Sequence, residues 1–194
     1  IVEAARKIIT NGGMEHLTVR ALAESLGLSQ AALYRHVRSK QDILMLVLQD
    51  IETTLLQAMG QAQKGKGSAL ERLRQTLNAH LSYSERRKGV GFLVINEALC
   101  LEGRELRTRA RAFVERYLEL IKKVLLEGQE EGAIRDDVDV ELAARLFFGM
   151  VQSNVTLWAL QSRAFPLGGR QEELWELYLA GVSSREKSGR EVQP

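Results

Sequence analysis

Polar side chains that could contact a nucleic acid are concentrated between positions 18 and 40. Gln30 can form paired hydrogen bonds with adenine, and Arg20 can form them with guanine. Arg35 can reach either a base or a phosphate, and each of these side chains could instead be a solvated surface residue. The further candidates in the segment can cap a helix, bind a phosphate or face outward: Thr18, Ser29, Ala31, Tyr34, His36 and Lys40.

Residue types that perform catalysis or bind metals are few and scattered in this sequence. There are three histidines, no Gly-rich phosphate loop and no Cys/His spacing that suits zinc. The single cysteine, Cys100, cannot form an internal disulfide, and we interpret it as a small buried hydrophobic residue. We therefore expect neither an enzyme nor a metal or cofactor site, because an enzyme would need titratable pairs inside a cavity.

Composition places the chain among ordinary globular proteins. Its 194 residues are 45% hydrophobic and 27% charged, with a net charge of +2, so only local charge can indicate a nucleic-acid partner. No uninterrupted apolar run reaches the roughly 18 residues of a membrane span, and a lone cysteine favours a cytoplasmic location. The sequence opens inside a helical pattern, so we expect the natural chain to extend before Ile1.

The segment 18–40 has the pattern of a helix-turn-helix. Gly27 suits a tight turn with positive φ between two short helices, which Thr18 and Ser29 can cap. The small Ala23 permits close helix crossing, and apolar residues can hold the pair together: Leu22, Leu26, Leu28 and Leu33. Gln30, Ala31, Tyr34 and Arg35 then face outward, as in a helix that enters the DNA major groove.

Helical periodicity and scarce proline predict an all-α chain of about nine helices. The only prolines are Pro166 and Pro194. We predict an N-terminal three-helix DNA-binding domain over 1–48, a helical ligand-binding and dimerisation domain over 49–183, and a loose tail over 184–194. The predicted helices cover 1–11, 18–26, 29–36, 40–59, 68–83, 92–101, 105–130, 139–160 and 171–182. Ser68 and Glu71 form a predicted capping box.

The helix-turn-helix residues resemble the N-terminal signature of the TetR/AcrR family of regulators. The shared positions are Thr18, Leu22-Ala23, Gly27-Leu28-Ser29, the run Leu33-Tyr34-Arg35-His36-Val37, and Lys40. Position 37 is more often Phe in that family, and the resemblance covers about fifty residues. It implies that Tyr34 and His36 contact phosphates, that a homodimer binds a palindromic DNA operator, and that the C-terminal helices sense an effector.

Two further sets of residues are candidates for the C-terminal functions. For a small apolar or amphipathic effector we single out polar and aromatic residues on apolar helices: Phe92, Asn96, Cys100, Phe113, Tyr117, Phe147, Asn154 and Trp158. Core packing explains Asn96, Asn154 and Trp158 equally well, and it explains the others better. His80 has the same character as the first three. For the dimer interface, which the resemblance places on the last two long helices, we select apolar and small residues: Phe148, Gly149, Val151, Gln152, Val155, Leu174, Leu177, Tyr178 and Gly181.

Two functions of different class remain open. The favoured one is a ligand-responsive dimeric repressor, which a large closed apolar cavity would support. The alternative is a DNA-bound, partner-recruiting protein of the nucleoid-occlusion type without a small-molecule effector, which residues 29–36 and the sixth and seventh helices loosely resemble. A filled core with an exposed groove would favour that alternative. The basic run Arg86-Arg87-Lys88 lies beside Glu85 and is interpreted as a solvated loop.

Overall fold

The protein is almost entirely helical. The computed structural model describes residues 1–101 and 104–184, and within these ranges nine α-helices occur with no β-strand. Two short 3-10 helices cover Met14–His16 and Leu167–Arg170. The predicted all-α class and number of helices are confirmed. The helices are α1 Val2–Gly12, α2 Val19–Leu26, α3 Gln30–Leu33, α4 Lys40–Gln63, α5 Ala69–Arg86, α6 Val90–Cys100, α7 Arg104–Glu130, α8 Val140–Leu160 and α9 Gln171–Val182.

Capping side chains fix the starts of five helices. Thr18, Ser29 and Asp139 each accept a hydrogen bond from a backbone N–H in the first turn of α2, α3 and α8. The Ser68–Glu71 capping box that the sequence predicts opens α5. A second capping box, formed by Ser39 and Asp42, opens α4. These bonds satisfy donors that the helix itself leaves free.

Three predicted ends differ from the structure. Helix α3 ends at Leu33 rather than near His36, because the His36 N–H donates to the Leu33 carbonyl oxygen at 2.8 Å and tightens the last turn. Helices α4 and α5 continue to Gln63 and Arg86, so the predicted loop over 85–91 shrinks to three residues. The predicted tail lies outside the described residues from position 185 onward.

Helix α4 is the central element of the fold. Its buried residues pack among α1, α5, α6 and α7, and the helix runs unbroken through residue 48. The predicted domain boundary therefore falls inside α4, which packs against helices on both sides of that boundary. The residues that carry this packing are Ile43, Leu44, Val47, Leu48, Ile51, Leu55 and Met59.

This packing explains why α4 is apolar. By length and composition alone it could cross a membrane, with a mean hydropathy of 1.2. However, it also carries the buried carboxylate of Glu52, which forms ion pairs with Arg109 at 2.8 Å and with Arg116 on α7. A charged group held this way belongs to the interior of a helical protein, because an ionised side chain is costly in lipid.

Candidate DNA-binding surface and effector cavity

The turn between α2 and α3 has the geometry of a helix-turn-helix. Gly27 adopts φ 66°, a left-handed conformation that favours glycine, and the Leu28 N–H donates to the Ala23 carbonyl oxygen at 3.0 Å. Leu22, Ala23 and Leu33 are buried between the helices. The expectation for Leu28 was wrong: its side chain is 47% exposed, because it lies on the outer side of the turn.

Helix α3 and the turn after it present one exposed surface. Tyr34 is 46% exposed, and Gln30, Ala31, Arg35 and His36 are exposed as well. The buried neighbours Leu33 and Val37 anchor this segment from below. A surface that contacts bases and phosphates needs polar groups that are accessible outside the core, and these residues meet that requirement.

Three other predicted DNA contacts lie on this side at the helix starts. The Thr18 and Ser29 hydroxyl oxygens accept bonds from Ala21 and Ala32 N–H groups at 3.0 and 3.2 Å. Each hydroxyl keeps its own hydrogen for an outside acceptor. The exposed Arg20 donates to Glu24 one helical turn later at 2.9 Å. Such a surface pair is weak, so a base can replace the carboxylate at little cost.

Lys40 differs from the other predicted DNA contacts. Its ammonium donates to the carboxylate of Glu97 on α6 at 2.7 Å, and the two side chains are 29% and 21% exposed. The predicted phosphate contact is thus held against the C-terminal helices. Sequence reasoning missed this pair because its members are 57 positions apart and neither belongs to a local pattern.

An apolar cavity lies under α6, between α4, α5, α7 and α8. Its volume is about 30 Å³, far below the roughly 300–1,000 Å³ of small-molecule sites, so the space is narrow and nearly filled by its own side chains. The lining residues are Ile51, Leu55, His80, Tyr83, Ser84, Arg87, Gly91, Phe92, Ile95, Phe113, Tyr117, Phe148, Gln152 and Val155.

A neutral polar pair faces this apolar space. His80 Nδ1 and the Tyr117 hydroxyl are 3.0 Å apart, and the Tyr117 ring packs edge-on against Phe148 at a centroid distance of 5.1 Å. Burial lowers the pKa of His80 to about 4 and raises the pKa of Tyr117. Both groups are therefore uncharged at neutral pH. They can offer one hydrogen bond to a ligand's polar group without the cost of a buried charge.

The predicted effector residues separate into two groups. Phe92, Phe113 and Tyr117 line the cavity, as do several residues that sequence reasoning did not select, among them Gln152 and Ser84. These two were missed because helical spacing alone does not identify which polar residue faces a cavity.

Five predicted effector residues lie away from the cavity walls. Phe147 is buried against Tyr178, and the Trp158 indole N–H donates to the Phe165 carbonyl oxygen at 2.8 Å. Asn96 and Asn154 each donate to a backbone carbonyl one turn earlier in their own helices. Cys100 is exposed near the end of α6, so its interpretation as a buried residue was wrong.

The predicted dimer face is partly misplaced around α8 and α9. Val151, Val155 and Tyr178 are buried within the chain's own core, and the Tyr178 hydroxyl donates to the Ala143 carbonyl oxygen at 3.1 Å. Phe148 and Gln152 line the cavity instead. The other four predicted positions are Gly149, Leu174, Leu177 and Gly181. Three of these are exposed and Leu174 is half-buried.

An exposed apolar stripe does exist on α8, on a side of the helix that shares only Gly149 with the predicted one. We call it the α8–α9 face, and on α9 it continues at Leu177, which is 78% exposed. The small residues Gly149 and Ser153 interrupt it at one-turn spacing, which permits close helix approach. Its α8 members are Leu142, Leu146, Gly149, Ser153, Leu157 and Leu160.

Comparison with known protein families gives matches to two consecutive parts of the chain. Residues 1–46 match the family described as bacterial regulatory proteins, tetR family, and residues 49–181 match the family described as YsiA-like protein, C-terminal region.

Individual relatives extend over nearly the whole chain. The fatty acid metabolism regulator protein of Bacillus subtilis is 25% identical over 185 residues, which is 95% of each chain. The nucleoid occlusion factor SlmA of Vibrio campbellii is 25% identical over 178 residues, 92% of this chain and 91% of that one. The structure of FadR from Bacillus subtilis in complex with stearoyl-CoA superposes with a TM-score of 0.82 at 24% identity, covering 93% and 97% of the chains.

Proposed function

The chain belongs to the TetR family of bacterial DNA-binding transcriptional regulators, and we propose that it is a dimeric repressor whose effector is a long-chain acyl thioester. The observation that carries this proposal is the combination of an exposed α3 surface with an apolar cavity whose wall, α6, is joined to α4 at Lys40. A chain of this kind acts on the chromosome, so its place is the cytoplasm.

DNA recognition in this proposal depends on the exposed surface of α2 and α3. Gln30 and Arg20 read bases, while Tyr34, His36 and Lys40 contact phosphates and set the register. One such unit makes few contacts. Two copies related by a two-fold axis read the two halves of a palindromic operator.

The second copy is the occupant that we assign to the α8–α9 face. Five exposed leucines on α8 and α9 are unusual on a monomer, and two helices from each copy can cover one another as a four-helix contact. Leu177 lies at the centre of the α9 contribution. We expect an interface in the obligate range, above about 2,000 Å² in total.

The effector assignment draws on the cavity's chemistry and on relatives. Its walls are apolar aliphatic and aromatic side chains, and the His80–Tyr117 pair supplies a neutral polar contact. The Bacillus subtilis relative is named for fatty acid metabolism, and a FadR with this fold was solved in complex with stearoyl-CoA. An acyl chain in this narrow space must push its walls apart. Movement of α6 carries Glu97 and, through the ion pair, pulls Lys40 and the start of α4 with it, which displaces α3 from its position on the operator.

The direct test uses purified protein and operator fragments selected from random duplex DNA. We expect one palindromic site to be enriched, and palmitoyl-CoA at micromolar concentration to release the protein from it. Phe113→Trp, which fills the cavity, should keep operator binding but lose the response to palmitoyl-CoA. A wild-type protein that stays on its operator with saturating palmitoyl-CoA would contradict the effector assignment and leave DNA binding intact.

A second candidate function rests on the SlmA relative and an exposed groove. Between α6 and α7, an exposed groove is lined by the apolar residues Ile95, Ala98, Leu99, Ala110 and Val114, with Leu99 65% exposed. The charged residues Arg107, Arg111 and Glu115 complete its lining. In this alternative the DNA-bound protein recruits a protein partner through the groove and ignores acyl thioesters. Under this alternative, Leu99→Asp would abolish partner recruitment without changing operator affinity. Under the repressor proposal, Leu99→Asp would leave the release from the operator by palmitoyl-CoA unchanged.

A further inference from the structure

A basic cleft lies between α1 and the turn that joins α5 to α6. Five of its eight lining residues are cations, two from α1 and three from the end of α5 and the turn. Sequence reasoning treated the second group as a solvated loop, because α1 and the turn are separated by more than seventy positions. The lining residues are Glu3, Arg6, Lys7, Thr10, Asn11, Arg86, Arg87 and Lys88.

Most of the positive charge in this cleft is not neutralised. Arg6 forms ion pairs with Glu3 and, at 3.2 Å, with Asp50. Within the described ranges, none of the other four cations of the cleft forms an ion pair with a carboxylate, in contrast to the many paired arginines elsewhere. Unpaired cations in a concave surface attract a polyanion more strongly than the same charges spread over a convex one.

The cleft and the apolar cavity meet at Arg87. This residue lines both, and its guanidinium carbon lies 5.8 Å from the centre of the Tyr83 ring, which is also a wall of the cavity. The stacking holds the cation at the rim between the two spaces. A molecule with an apolar chain and an anionic head can therefore occupy both at once.

The turn that carries these cations is fixed. Lys88 adopts φ 52° and Gly89 φ 73°, and the Gly89 N–H donates to the Ser84 carbonyl oxygen at 2.8 Å. Arg163 donates to the Lys88 carbonyl oxygen at 3.3 Å. A non-glycine residue held in the left-handed region is costly and is concentrated at functional sites. The backbone that carries the cations is thus preorganised, which reduces the entropy lost when an anion binds.

We propose that this cleft binds the phosphate groups of the effector whose acyl chain enters the cavity, with Lys7, Arg86, Arg87 and Lys88 as the phosphate ligands. The inference deepens the proposed function and rests on it. The ligand class is an acyl chain esterified to a phosphorylated head, as in an acyl-CoA or a lysophospholipid. A fatty acid without phosphate would use the cavity alone.

The test compares three ligands on two matched variants by titration calorimetry. The cleft variant is Arg86→Gln with Lys88→Gln, which spares Arg87 and the cavity. The control is Lys64→Gln with Lys66→Gln, which removes the same charge just after the C-terminal end of α4, outside the cleft. For palmitoyl-CoA we expect the cleft variant to bind at least about tenfold more weakly and the control less than about twofold. Palmitate should bind both variants as it binds the wild type.

Each outcome separates this inference from the proposed function. If the cleft variant loses the same affinity for palmitoyl-CoA and for lysophosphatidate, the cleft binds phosphate groups in general. If it loses affinity for palmitoyl-CoA alone, the cleft binds a head that carries a nucleotide. If the wild type responds to palmitoyl-CoA and the cleft variant binds it equally well, the cleft inference is overturned while the repressor proposal stands. A cleft variant that loses operator affinity without any ligand, and keeps palmitoyl-CoA affinity, assigns the cleft to DNA and also overturns it.

Discussion

Lys40 and Glu97 join the first residue of α4 to the outer side of α6 by a hydrogen-bonded ion pair of 2.7 Å. One partner occupies a position predicted to contact phosphate, and the other lies on the helix whose inner side, at Phe92 and Ile95, walls the cavity. The carboxylate of Glu97 and a DNA phosphate therefore compete for one ammonium group.

This competition predicts that Glu97→Gln strengthens DNA binding. Freed from the carboxylate, Lys40 can contact phosphate in every sequence, so affinity for operator and random DNA should rise together by about fivefold, or about 1 kcal/mol. The slope of log affinity against log salt should become steeper by about one unit, because one more counterion is released. Fluorescence anisotropy at several salt concentrations measures both.

Two variants serve as controls for this effect. Glu130→Gln removes the same charge at the exposed end of α7 and should leave the salt slope unchanged. In a Lys40→Gln background, Glu97→Gln should have no effect, because the two side chains act as one unit. A gain that persists without Lys40 would show that Glu97 acts through general charge repulsion.

A second prediction concerns base reading by Gln30. Its side chain is exposed at the start of α3 and is not needed for packing. Gln30→Ala should reduce affinity for the selected operator by about 1–3 kcal/mol and leave random DNA unchanged, because a paired contact to one base is lost. Gln61→Ala is the control, because it removes the same side chain at an exposed position of α4 outside this surface and should leave both affinities unchanged. If Gln30→Ala weakens both DNAs equally, the residue contacts the backbone.

The sequence was sufficient for features that local chemistry determines. Thr18, Ser29, Ser68 and Asp139 mark helix starts because a side-chain cap acts within four residues. The helix-turn-helix was readable for the same reason. The turn at Gly27 needs a residue that tolerates positive φ, and the buried positions around it follow helical spacing.

What the sequence could not supply was the rotation of each long helix and the contacts between distant segments. Helix α8 is apolar on more than one side, so Val151 and Leu157 are equivalent by composition, yet one is in the core and the other is exposed. The basic cleft needs α1 beside Arg86, and the Lys40 ion pair needs α4 beside α6. No periodic pattern encodes either proximity, because both arise from tertiary packing.

The buried His80 predicts an acid-sensitive fold. Burial lowers its folded-state pKa to about 4, whereas an unfolded histidine titrates near 6.5. The unfolded chain therefore takes up this proton first as the pH falls below about 6.5, and stability declines until the pH passes about 4. From pH 7 to 5 this one group removes about 2 kcal/mol from the free energy of unfolding.

Urea unfolding at pH 7 and pH 5 measures this contribution. His80→Gln keeps a hydrogen-bonding group beside Tyr117 but cannot be protonated, so the difference between the two pH values should shrink by about 2 kcal/mol. The surface variant His16→Gln is the control and should retain the wild-type difference. If His80→Gln and wild type lose stability equally, His80 is solvated well enough to titrate in the folded chain.

The final prediction tests the assignment of a second copy to the α8–α9 face. Leu177→Glu places a carboxylate on a side chain that is 78% exposed in the single chain, so folding should lose little, whereas a dimer would have to bury the charge. We expect a monomer in sedimentation velocity with unchanged helical circular dichroism. Operator affinity should fall steeply, because a monomer cannot span two half-sites about 34–36 Å apart. Leu99→Glu adds the same charge at an exposed leucine of α6 and should remain dimeric. If Leu177→Glu is also dimeric, the subunits meet elsewhere, and the exposed leucines of α8 would then need a different partner.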